Sequence, residues 1–237
     1  MTDDQWPMND YLAAMKRRSF IETVTIGSGA VGSLLGLTSL NTFKSPGREA
    51  AQVSVYEADI VIAGGGLGGC AAAFAALRND LKVIMTEETD WIGGQLTQQA
   101  VPPDEHRWIE THGATKLYRD FRERVREYYR RNYPMTSAAS ERKDLNPGDG
   151  AVSRLCHEPR AALAVLNDMF APYISAGKLV LLLEHKIIDS KVAGTKVQSL
   201  TAQHIGTRDP KTLVAPYFVD ATELGDLLPL TGTEYVT

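Results

Sequence analysis

Residues 57–88 read EADIVIAGGGLGGCAAAFAALRNDLKVIMTEE, and this stretch decides the fold. Asp59 to Ala63 is a short, largely β-branched apolar run, suited to a strand buried on both faces. Cys70 to Arg78 is rich in alanine and lacks β-branched residues, the composition of a strong helix, and Asn79-Asp80 stops it. Lys82 to Glu87 then returns as a second strand. Between the first strand and the helix stand Gly64, Gly66 and Gly69, in G-x-G-x-x-G spacing. The first glycine permits a sharp turn, the second lets bare backbone approach a ligand, and the third lets helix and strand pack closely. Backbone amides at the helix start, including those of Gly66, Gly68 and Gly69, then face outward with the positive end of the helix dipole.

Glu87 closes the second strand, 23 residues after Gly64. A carboxylate there accepts hydrogen bonds from both ribose hydroxyls of an adenosine and repels a 2′-phosphate. Strand, glycine turn, helix, strand and terminal acid are all in register. They predict an α/β, Rossmann-like fold around a parallel sheet, with an adenine dinucleotide site of the unphosphorylated type.

The same spacing occurs once before, at Gly27, Gly29 and Gly32 in TVTIGSGAVGS. Its candidate acid, Glu49, comes just after Pro46 and Gly47, which break the strand that would have to carry it. The first copy is therefore no nucleotide loop. It lies behind MKRRSFIETV, where Arg17, Arg18, Ser19, Phe20 and Ile21 resemble a bacterial twin-arginine export signal; Glu22 departs from that pattern, in which lysine is frequent. The run from Val24 to Leu40 holds four glycines and five Ser/Thr residues, too polar for a stable membrane span. The resemblance implies that residues 1–50 are an export signal and linker, that the twin-arginine export machinery is a partner, and that the protein is periplasmic or exported.

The residues just beyond Glu87 separate two kinds of dinucleotide. Gly93, Gly94, Gln95, Leu96 and Thr97 come within one loop, where an NAD dehydrogenase would run on into another helix and strand. Here the chain resembles the bacterial FAD-dependent oxidoreductases of the glutathione-reductase-like flavoprotein class. The resemblance implies that Gly93 and Gly94 lie beside the pyrophosphate and ribityl chain, with Gln95 and Thr97 as hydrogen-bond donors. KLVLLLEHKIIDSKVAGTKVQSLTAQ reads as a strand and then a hairpin, and in the family such a piece brings a backbone contact to adenine, placed near Ile187. The family's D-A-T step matches at Asp220, Ala221 and Thr222, and its G-D-L at Gly225 and Asp226. Many flavoproteins have glycine directly after D-A-T; this chain has Glu223. FAD is the implied cofactor, and hydride transfer between a small-molecule substrate and the flavin the implied reaction, with an electron acceptor that no residue identifies. Residues 57–237 form the expected FAD-binding domain, with residues 100–177 as a helical insertion and a β-hairpin or meander layer beside the sheet. The chain stops soon after the D-A-T motif, whereas the family continues, so a fragment with an incomplete domain is expected. A non-catalytic nucleotide-binding remnant or interaction module is the alternative reading.

Net charge is −4, which gives no electrostatic case for nucleic acid. Cys70 and Cys156 are too few for a disulfide framework and lack zinc spacing, so no metal site is expected. In the insertion, Ala114 to Pro134 reads as an amphipathic helix with Leu117, Phe121, Val125 and Tyr128/Tyr129 inward. Its arginines, Arg122, Arg126 and Arg130 among them, read as a solvated face paired with Asp120, Glu123 and Glu127. No catalytic acid or base stands out. His106 and His112, in the loop after the glycine pair, and Cys156, beside His157, are the weak catalytic candidates.

Overall fold

The computed structural model describes residues 53–236. The stretch expected to be an export signal and the first glycine copy lie outside them. β1 (Ser54–Glu57) and β2 (Ile60–Ala63) lead into α1 (Leu67–Arg78) and β3 (Val83–Thr86). No strand interrupts residues 100–177, which carry α2 (Lys116–Asn132), the short α3 (Ser137–Ser140) and α4 (Pro159–Ser175). Next come β4 (Leu179–Leu182), β5 (His185–Ala193), β6 (Lys196–His204), β7 (Pro210–Val214) and β8 (Tyr217–Asp220), and α5 (Leu227–Thr231) is the last described element.

The strands make two sheets. One is fully parallel, in the order β4-β3-β2-β8. The other joins the antiparallel meander β5-β6-β7 to β1, which pairs with β7 in parallel. β1 was not foreseen: four residues with an exposed pattern carry little apolar signal of their own.

Side-chain alternation sorts the core into two layers. Ile62, Val83 and Met85 face the helices, where they meet Phe74, Val125 and Phe170. Val61, Ala63 and Ile84 face the other way and meet Ile187, Leu200 and Leu213 of the meander sheet. Covering both faces is what makes these strands uniformly apolar rather than alternating. Phe74 of α1 stacks on Phe170 of α4 with ring centroids 3.9 Å apart, fixing the insertion to the dinucleotide unit.

The arginine face of α2 differs from the sequence expectation. Arg122 and Arg126 are buried. Arg122 pairs with Glu105 and Glu110, and Arg126 pairs with Glu110 at 2.6 Å while donating from Nε to the Leu145 carbonyl at 3.0 Å. The helix thus draws two loops onto itself through charged groups far away in sequence, which spacing along one helix does not reveal. Arg130 does use Glu123 and Glu127. Cys70 and Cys156 are free and buried.

Candidate functional site

The parallel strands β2, β3 and β8 all end at one cleft of about 220 Å³, so Gly64, Glu87 and Ala221, the residues after each, share its wall. β3 lies on one side of β2 and β8 on the other, so the chain leaves β2 where the sheet order reverses, the place where open α/β sheets leave room for a ligand.

Two of the glycines are required by the protein's own packing. Gly64 turns at φ +100°, and a Cβ there would sit 2.2 Å from the Ala221 carbonyl oxygen. A Cβ on Gly69 would sit 2.0 Å from the carbonyl oxygen of Gly64. Gly66 and Gly68 are different. A Cβ on Gly68 would meet nothing within 4 Å, and one on Gly66 only the Glu223 carboxylate, at 3.4 Å. α1 starts at Gly66 without a side-chain cap and has no acidic residue in its first turn, so its leading amides are left for an acceptor from elsewhere.

Gly65, which the motif spacing passes over, is the most tightly held residue of the loop. Its amide donates to Glu87 Oε2 at 2.9 Å. Its carbonyl accepts from the Gly93 amide at 2.8 Å and from the Cys70 thiol at 3.3 Å. Burial, and then the Glu87 charge, push the Cys70 thiol up to about 12, with the Gly93 amide working the other way. Glu87 Oε1 is also engaged, accepting from the Thr89 amide at 2.9 Å, while the Thr89 hydroxyl shares its one proton between that oxygen at 2.9 Å and the Trp91 carbonyl at 2.8 Å. A carboxylate offers about four acceptor positions, and the two amides fill about two of them, so the side chain expected to take the ribose hydroxyls also holds the loop.

The second glycine pair divides its work. Gly93 (φ +104°) is packed on Leu166 and Thr97, whereas Gly94 (φ +51°) faces Gly66 across the cleft, its absent Cβ 3.2 Å from Gly66 Cα. Thr97 turns inward and donates to the Ile92 carbonyl at 2.6 Å rather than outward, whereas Gln95 is exposed beside the cleft.

The D-A-T turn holds itself together. Asp220 Oδ1 accepts from the Thr222 amide at 3.0 Å and hydroxyl at 2.7 Å, and Oδ2 accepts from the Leu227 amide at 2.9 Å. Asp220, like Gly225 (φ +70°), shapes the turn rather than lining the cleft. Asp226 and Ile187 do line it. Lys186 bridges Glu88 at 3.2 Å and Asp226 at 3.7 Å, and these carboxylates, Glu88 first, raise its pKa. Its own lysine engaged in this way, the cleft offers an anion chiefly backbone amides.

The three catalytic candidates fall elsewhere. His106 lines a separate pocket against residues 146–154, and its Nδ1 accepts from the Trp108 amide. His112 Nδ1 meets the neighbouring Thr111 hydroxyl at 2.9 Å. Cys156 Sγ lies 3.8 Å from the Ser153 carbonyl, while His157 turns Nδ1 to the Glu158 carbonyl, so thiol and imidazole are not paired. Adjacent residues in an extended stretch point to opposite faces, which is why neighbours in sequence do not share a site here.

A family model described as FAD dependent oxidoreductase matches residues 59–237. Similar solved structures include the glycerol-3-phosphate dehydrogenase from Bacillus halodurans complexed with FAD, 16% identical with a TM-score of 0.46, covering 73% of this chain and 36% of that one. Thermovibrio ammonificans THI4 is 16% identical with a TM-score of 0.44, covering 75% and 64%. The Mycobacterium smegmatis Sdh1 complex in the apo form is 14% identical with a TM-score of 0.46, covering 72% and 35%. The chain thus spans less than two thirds of the length of each.

Proposed function

The chain belongs to the FAD dependent oxidoreductase family, whose cofactor is FAD, and from that premise we propose that this cleft holds FAD and that the protein passes a hydride between a small-molecule substrate and the flavin. The observation carrying this reading is the meeting of the close Gly66–Gly94 approach, the uncapped start of α1 and the Glu87 carboxylate at the ends of three parallel strands. The residues fit the cofactor. Amides at the start of α1 would receive the diphosphate, Glu87 a ribose hydroxyl, and the backbone beside Ile187, where the β5 ladder shifts register, the adenine. When bound, the isoalloxazine supplies the redox chemistry; the protein supplies placement, charge and exclusion of water. The glutathione-reductase-like class is the finer assignment of this fold that we favour, on the strength of the G-x-G-x-x-G, G-G and D-A-T motifs together.

To test the reading, the purified protein is reconstituted with FAD, freed of excess cofactor, and its visible spectrum recorded. Retained flavin bands are expected. A protein that keeps no flavin, or prefers NAD in competition, would overturn it.

Export by the twin-arginine route forms part of the same proposal. It rests on Arg17, Arg18, Phe20 and Ile21, and on the fact that such export carries folded proteins, which suits a cofactor loaded in the cytoplasm. Residues 1–50 fused to a reporter should direct it out of the cytoplasm, and R17K/R18K should stop it. A reporter that stays inside with the natural arginines would refute the export route alone.

A further inference from the structure

Glu223 stands where many flavoproteins carry glycine, and its carboxylate lies over the mouth of the cleft. Its Oε1 is 3.4 Å from the point a Cβ would occupy on Gly66 and 3.5 Å from the equivalent point on Gly94. Gln99 Nε2 donates to that same oxygen at 3.0 Å. Gln99 comes after the Gly94–Leu96 turn and Glu223 after β8, so their bond bridges two walls of the cleft above the start of α1. α1 has no acid of its own in its first turn; Glu223 brings one to it from 156 residues further along the chain, counted from Leu67. Both Gln99 and Glu223 are exposed, and an exposed polar pair of this kind is weakly held.

We propose that Glu223 and Gln99 form an anionic latch over the dinucleotide site. The inference rests on the reading of this cleft as the FAD site. The carboxylate stands at the approach to the helix-start amides and has to give way when the diphosphate enters. Two anions at such close range repel, so the latch weakens cofactor binding through its charge. It also places a side chain, not bare backbone, at the position that controls entry.

The test uses the full chain without cofactor, as wild type, E223Q and Q99A, each checked for folding by circular dichroism. FAD is titrated by the quenching of flavin fluorescence at low salt and at about 1 M salt. Glutamine keeps the shape at position 223, and its amide oxygen still accepts from Gln99, so E223Q removes the charge; the amide donor it adds is not screened by salt, which the high-salt titration separates. E223Q is expected to bind FAD about tenfold more tightly at low salt, a difference of ~1.4 kcal/mol, with the gain shrinking in high salt as screening removes it. Q99A, which frees the carboxylate to swing away, shifts affinity the same way by less. Unchanged or weaker binding by E223Q at low salt would overturn the latch, as would a gain equal at both salts or a Q99A variant weaker than wild type. If wild type binds FAD and E223Q gains nothing, only the latch falls. If none of the three binds FAD, the cofactor reading falls and takes the latch with it.

Discussion

The Glu87 carboxylate accepts the Gly65 amide hydrogen at 2.9 Å, so the acid at the end of β3 sets the shape of the loop at the end of β2. The two residues act as one unit: on the proposed reading of the cleft, the group that presents a ribose acceptor also fixes the backbone flanking the diphosphate approach. E87A leaves the Gly65 amide and the Thr89 amide without their acceptor. A loss of about 1–3 kcal/mol in urea unfolding is expected, together with weakened FAD retention. Full stability in E87A would mean that the loop holds its shape without the carboxylate.

The glycines of the loop separate by substitution. Gly69→Ala drives a methyl to within 2.0 Å of the Gly64 carbonyl oxygen, a backbone atom fixed by β2, and costs about 3 kcal/mol or more. Gly68→Ala meets nothing within 4 Å and lies inside α1, so it stabilises by about 0.5–1 kcal/mol through helix propensity. Thermal unfolding of the two variants should move in opposite directions. Equal destabilisation by both would contradict the packing described for α1 on β2.

Arg122 is the anchor of the insertion. Its side chain and that of Glu105 are 2% and 7% exposed, so R122A strands a buried carboxylate as well as removing a cation. A loss of about 3–5 kcal/mol is expected, read from denaturant midpoints. Limited proteolysis should show where the loss falls, with early cutting in residues 101–115, the loop that Glu105 and Glu110 tie to α2. Cleavage elsewhere first would place the anchor differently.

Glu110 links that anchor to pH. Burial opposes its ionisation, yet the guanidiniums of Arg126 and Arg122 hold its carboxyl below the ordinary value of 4.5. A depressed carboxyl pKa contributes stability that is complete above the ordinary value and lost as pH falls through the depressed one. Wild-type stability should therefore drop, as pH falls below the ordinary value of 4.5, more steeply than that of E110Q, which lacks the titrating group. Parallel acid limbs for the two proteins would remove Glu110 from the account.

How much of this was legible in sequence depended on whether the signal was local. β2, α1 and β3 were readable because composition, glycine spacing and the terminal acid all fall within thirty-odd residues of one stretch. β4 and the β5-β6 hairpin showed in the alternation of residues 178–203, whereas β7, the third meander strand, lies beyond that stretch. β1 was hidden, since its parallel partner β7 lies more than 150 positions away and only pairing defines it. The arginines of α2 misled for the same reason: Arg122 finds both its carboxylates in a loop, and Arg126 adds Glu110 of that loop to Glu123, one turn back along the helix. At the site, Gly64, Gly66, Glu87, Gly94, Ile187 and Asp226 were placed in the cleft wall by motif position. Gly65 was missed because its part is played by its amide and carbonyl, which every residue has. Asp220, Thr97 and Gly225 were assigned outward because a motif gives positions, not directions; their hydrogen bonds and backbone turn inward to support the loops.

Cys70 supplies the last check, because it reports on the loop from beneath. Its thiol is 1% exposed, donates to the Gly65 carbonyl, and is pushed up to about 12 by burial and then by Glu87. At pH 8 it stays protonated, and the thiolate is the reactive form, so disulfide reagents should reach it only when the structure opens. In a C156A background, which leaves one thiol, the native protein is expected to give no fast reaction and the urea-unfolded protein one equivalent. Raising the pH adds a second signature. The unfolded chain ionises this thiol near its ordinary value of 9.0 while the folded chain does not, so the contribution present below that value is lost as pH rises through the interval between 9.0 and about 12. C70S, with a hydroxyl in the same place, should keep the bond to Gly65 and flatten this alkaline limb. Rapid modification of native Cys70 at pH 8 would show that the floor of the glycine loop is open, and the tight hold on Gly65 would have to be given up.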